Sequence, residues 1–120
     1  MASLNTFGSI MTYAIELEAR LHDYYHQAGN LDRAKIADKN RSKLERVRRE
    51  NVTEIKLEPI DGLDEANYDF DLSDTSAEGQ QRVESMAARF YADVAPKMNV
   101  REAERMLNRV GKQHAQFAEE

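Results

Sequence analysis

Three side chains in this sequence have the chemistry of a site: Glu18, Glu84 and His114. Each falls on or beside a row of apolar residues spaced three and four apart. Glu18 sits beside Leu17, Leu21 and Tyr25, Glu84 beside Val83, Ala87 and Tyr91, and His114 within the series Ala103, Leu107, Val110, His114, Phe117. A carboxylate carried into a core needs a cation, hydrogen-bond donors or a proton. The two acids also repeat one pattern: Glu18 precedes Tyr24 and Tyr25 by six and seven residues, as Glu84 precedes Phe90 and Tyr91. Such an echo is what an internal duplication leaves behind.

Much other chemistry is excluded. With no cysteine, the chain has no disulfide, thiolate metal site, iron–sulfur cluster or cysteine nucleophile. No glycine-rich phosphate loop, nucleophile elbow or Ser-His-Asp set can be assembled from its residues. His22 and His26 are spaced i, i+4, a geometry able to bind metal. Their second-half counterparts are Ala88 and Ala92 and both lie off the inner stripe, so an exposed pair is the expectation. Tyr24, Tyr25, Phe90 and Tyr91 read as packing residues, and Met11, Met86 and Met106 as gap fillers.

The elements that must position these residues are helical. The chain of 120 residues is one domain's worth, 41% hydrophobic and 32% charged, with only 5 Gly and 2 Pro. Periodicity predicts a first helix over about 5–28, with Ile10, Ala14, Leu17, Leu21, Tyr25 and Ala28 on one face. Gly29 and Asn30 stop it and cap the next, forcing an antiparallel hairpin. A second helix follows over about 31–56, with a thinner stripe of Ala34, Ala37, Leu44, Val47 and Ile55. The pattern breaks over 57–75, where Pro59, Gly62 and repeated Asp and Asn occur. So long a link suits a crossover that returns along a bundle whose second and third helices are parallel. A third helix is expected over about 76–95 and a fourth over about 100–118, with Asn99 as N-cap and Glu102 completing a capping box. The expected fold is all-α: one four-helix bundle of two antiparallel hairpins.

With these residues in place, the sequence resembles the rubrerythrin and ferritin-like family. The matching text is Tyr13-Ala14-Ile15-Glu16-Leu17-Glu18 through Tyr24-Tyr25, and Glu84 through Phe90-Tyr91. The resemblance implies a bundle holding two irons, each half giving one glutamate from its first helix and a Glu-x-x-His pair from its second. Glu18, Glu84 and His114 stand at three of those positions; Gly111, Asn40 and Lys43 stand where the other three ligands belong. Four carboxylates would neutralise two divalent ions, and oxygen with imidazole donors suits iron or manganese. Two carboxylates neutralise only one.

Three readings of the site therefore stand. A complete di-iron centre would imply iron-dependent chemistry on peroxide or oxygen, and the missing ligands disfavour it. A single iron or manganese ion on Glu18, Glu84 and His114 is the second. The favoured third is metal-free, with Lys43 as counterion to the acids and Asn40, Tyr25 and Tyr91 as hydrogen-bond donors. On this reading the protein is non-catalytic. Gly111, in a helix interior, then costs about 1 kcal/mol against Ala and gains no ligand.

Charge bears on partners. From Arg33 to Glu50 eight Lys or Arg face three acids, and from Leu57 to Glu78 eight acids occur with no Lys or Arg, within a net charge of −5. The simplest expectation is that the acidic stretch covers the basic helix. The alternative is that the basic helix docks an acidic partner; the net charge argues against nucleic acid. Phe7, Tyr24 and Phe90 suggest aromatic faces for a homodimer. Basic charge is absent before Arg20, and no stretch resembles a signal peptide or membrane span, so the expected location is cytoplasmic.

Overall fold

The computed structural model describes residues 4, 6–51, 62–64, 67–68 and 70–120. They form four α-helices: α1 (Phe7–Gln27), α2 (Leu31–Glu50), α3 (Ala77–Val94) and α4 (Arg101–Glu119). A single 3₁₀ turn, Ala95–Lys97, links the last two. Among the described residues there is no strand, and no helix is long and apolar enough to cross a membrane.

Local chemistry sets most helix ends. Thr6 starts α1 by accepting from the Ser9 amide at 3.0 Å, while the Ser9 hydroxyl oxygen accepts from the Thr6 amide at 3.1 Å, a reciprocal cap. Asn30 caps α2 as expected, its Oδ1 accepting from the Arg33 amide. Gly29 between them has φ +78°, the left-handed conformation that closes a helix most cheaply with glycine. Two expected ends move. The second helix stops at Glu50 with Asn51 as its C-cap, and the continuation expected to 56, Ile55 included, lies outside the described residues. The N-cap of α4 is Val100 and not Asn99, with no side-chain cap. Val100 is buried, and its carbonyl accepts the first helical bond from the Glu104 amide, so packing outweighs the capping box.

Hydrogen bonds between helices give their directions. Arg33, Asn40 and Asn51 on or ending α2 bond Glu120, Gln113 and Glu102 respectively, so α2 and α4 run antiparallel. Tyr13 rests on Phe90 at 4.8 Å between ring centroids, and Tyr25 reaches Glu84, so α1 and α3 are antiparallel as well, spaced by aromatic rings. Each hairpin also folds back on itself, which leaves α2 and α3 parallel. The expected crossover is thereby required.

The described part of that crossover lies against α1 and α3. Tyr68 is buried, packs edge-on against Phe90 at 5.3 Å and donates to Asp93 Oδ2 at 2.6 Å. Tyr24 donates to the Asp74 carbonyl at 2.6 Å. Leu63, Phe70 and Leu72 tuck partly into the core. The acids Asp71 and Asp74 engage Ser73, Ser76 and Arg82; Glu58, Asp61, Glu65 and Asp69, half the acids expected to cover α2, lie outside the described residues. The expected dimer faces are also accounted for differently: Phe7, Tyr24 and Phe90 are all buried in the single chain, and the exposed large hydrophobic residue among those described is Leu31, at 55%.

Candidate functional site

Glu18 on α1, Glu84 on α3 and His114 on α4 meet in the middle of the bundle, exposed by 0%, 1% and 2%. The imidazole lies between the two acids. His114 Nε2 is 3.0 Å from Glu18 Oε2, and Nδ1 hydrogen-bonds Glu84 Oε2. Burial opposes a charge on this ring, but the charge of Glu18 and its hydrogen bond, followed by those of Glu84, override it and raise the pKa to about 10. At neutral pH the ring is an imidazolium donating from both nitrogens.

The remaining acceptor positions are filled from the other helices. Tyr91 on α3 donates to Glu18 Oε2 at 2.9 Å, and Tyr25 on α1 donates to Glu84 Oε1. Asn40 on α2 donates to Glu18 Oε1 at 3.1 Å and to Gln113 Oε1 at 2.8 Å. Every carboxylate oxygen of the two acids thus accepts at least one bond. Both tyrosine hydroxyls are held protonated: burial pushes each pKa up, reinforced by the charge of Glu18 at Tyr91 and of Glu84 at Tyr25. The Tyr91 ring also stacks on His114, 5.5 Å between centroids and 7° from parallel, which places a π face against the imidazolium.

Of the expected polar core, Asn40, Tyr25 and Tyr91 are where the metal-free reading puts them. Lys43 is not. It is exposed on the outer face of α2, and the counterion to the two acids is His114. With helical residues turned about 100° apiece, Lys43 falls outside the arc that buries Asn40 and Leu44. Two contributors carried no sequence signal. Gln113 receives the second amide hydrogen of Asn40. Arg33 lies over the Phe117 ring at 4.5 Å and the Tyr25 ring at 5.7 Å while bonding Glu120, and so closes the end of the cluster with a second positive charge.

Gly111 has a reason the sequence did not disclose. A Cβ there would lie 2.7 Å from the Tyr91 Cβ, so the missing side chain is what lets α4 approach α3 closely enough for Tyr91 to stack on His114. A glutamate at this position would displace that ring. The dimetal centre that the family resemblance implies therefore does not fit: position 111 is filled by Tyr91, Asn40 presents its NH₂, Lys43 points away, and both ring nitrogens of His114 are engaged. Among the described residues, no set of three His, Asp or Glu side chains is arranged to hold a metal ion. His22 and His26 lie apart from this cluster, toward the surface of α1.

Set against family models, curated proteins and solved structures, the chain matches none of them.

Proposed function

We infer that this chain is a ferritin-like bundle of rubrerythrin type in which a protonated histidine has taken the place of bridging metal, leaving a non-catalytic protein. One observation carries the reading: both ring nitrogens of His114 are bonded to Glu18 and Glu84, the three residues left of the expected ligand set. An ion could enter only by displacing a proton from His114 and turning the ring, since both ring nitrogens now bond the carboxylates that an ion would need. A single iron or manganese ion is thus the most the cluster would take.

Elemental analysis of protein purified from iron-supplemented cells tests this. Iron and manganese are expected well below one ion per chain, unchanged in Glu18→Ala. Stoichiometric metal that disappears in Glu18→Ala and His114→Ala would overturn the reading and restore an iron-dependent peroxidase or oxidase.

The charge on α2 favours a second reading, a module that docks an acidic protein. Lys35, Lys39, Lys43 and Arg46 are exposed and follow one another at steps of four, four and three, a single line along the helix. Asp71 and Asp74 of the acidic crossover are engaged elsewhere. Salt-sensitive retention on an anionic resin, despite a net charge of −5 and lost in the triple variant Lys35→Glu, Lys39→Glu, Lys43→Glu, is the expected sign. Flow-through of the wild type at low salt would exclude it.

A further inference from the structure

The histidines not absorbed by the central cluster have a chemistry of their own. His22 and His26 stand four residues apart on α1, so their side chains leave one face of the helix about 6 Å apart along its axis. Their ring centroids are 6.2 Å apart and inclined at 34°. A metal ion held at about 2.1 Å by one nitrogen of each ring lies about 3.2 Å from each centroid, so the two centroids stand about 5.2 Å apart at a tetrahedral angle and at most about 6.4 Å apart with the nitrogens in line. The pair is inside that limit, and a turn of the exposed His26 ring narrows the bite toward a tetrahedral angle.

A second observation points to a ligand. His22 Nδ1 lies 3.1 Å from Asp23 Oδ1. A carboxylate on one ring nitrogen fixes the tautomer with hydrogen at Nδ1, makes the ring a better donor and leaves the Nε2 lone pair for a metal, the arrangement found behind metal-bound histidines.

We propose that His22 and His26 form a two-imidazole chelate for a borderline divalent transition ion, of which zinc is the representative, on the surface of α1. Two nitrogens with water completing the shell suit zinc, nickel or copper and not calcium or magnesium, which require oxygen donors. Among the described residues no third His, Asp or Glu completes a cage, so the site is open and exchangeable. It shares α1 with the central cluster but not its side: Glu18 and Tyr25 are buried inside the bundle, whereas His26 is exposed and His22 only partly covered.

Calorimetric titration of the untagged, metal-free protein with zinc chloride, in a non-coordinating buffer, tests the proposal. One zinc per chain is expected in the wild type and in His114→Gln. Affinity should fall more than about tenfold in His22→Ala and in His26→Ala, and up to about tenfold in Asp23→Asn through loss of the orienting carboxylate. Magnesium should give no heat of binding. Absence of zinc binding overturns the proposal, as does binding retained in both His22→Ala and His26→Ala. Zinc binding kept in His22→Ala and His26→Ala but lost in a His114→Gln protein whose far-ultraviolet circular dichroism matches the wild type would instead place the ion in the bundle core, against both this inference and the metal-free reading.

Discussion

His114 decides the electrostatics of the core, and its titration gives a signed expectation. Its pKa rises from 6.5 to about 10 on folding, opposed by burial and driven by Glu18 and Glu84. Below pH 6.5 both folded and unfolded chains hold the proton, and the stabilisation is complete. Between 6.5 and 10 only the folded chain holds it, so stability falls by about 1.4 kcal/mol per pH unit; above 10 the contribution is gone. Urea denaturation across pH 6 to 10 is expected to show this slope in the wild type and to lose it in His114→Gln. That variant should itself cost about 3 to 5 kcal/mol at neutral pH, because two buried acids lose their counterion. Lys43→Met is expected to change stability by less than about 0.5 kcal/mol, since the side chain is exposed. A buried counterion at that position would have cost several times more. Glu18, Glu84 and His114 were legible because they interrupt strong apolar stripes, which leaves them nowhere to go but inward. Lys43 was misread because α2 has few apolar residues, and a thin stripe does not say on which side of Asn40 the buried arc ends.

At the scale of elements, α4 is held to α3 by a missing side chain. Gly111→Ala should improve helix propensity by about 1 kcal/mol, yet its Cβ meets Tyr91 Cβ at 2.7 Å and must push the helices apart. A net loss of about 1 to 3 kcal/mol is expected in thermal or urea melts, with a change in near-ultraviolet circular dichroism as Tyr91 shifts against His114. A stabilised protein with an unchanged spectrum would show that the contact relaxes freely. The sequence displayed Gly111 only as a cost, because propensity is a property of one helix and close approach is a property of two. The helix limits were legible to within a residue or two where a cap forms at Asn30 or Ser76. At the start of α4 the cap moves by one residue, from Asn99 to Val100, where the burial of an apolar residue sets the register.

Across the molecule, the parallel relation of α2 and α3 was readable from the length of the link between them, since no short turn joins parallel helices. The anchoring of its described part was not, because the acids of the link drew attention to α2, whereas Tyr68 and Tyr24 fasten that part to α1 and α3 by ring packing and hydroxyl bonds. Phe7, Tyr24 and Phe90, which suggested a dimer, are all buried within the chain, Phe90 against Tyr13 between α3 and α1, and a linear sequence does not distinguish a face buried within a chain from one buried between chains.

The central cluster draws one group or more from every helix: Glu18 and Tyr25, Asn40, Glu84 and Tyr91, His114. No helix can detach without stranding a charge or an amide, which forbids a halfway state with one hairpin intact. Amide hydrogens flanking these six residues should therefore exchange with deuterium at one common slow rate set by global opening, whichever helix they belong to. Separate rates for the two hairpins would show that the junction does not bind them into one cooperative unit.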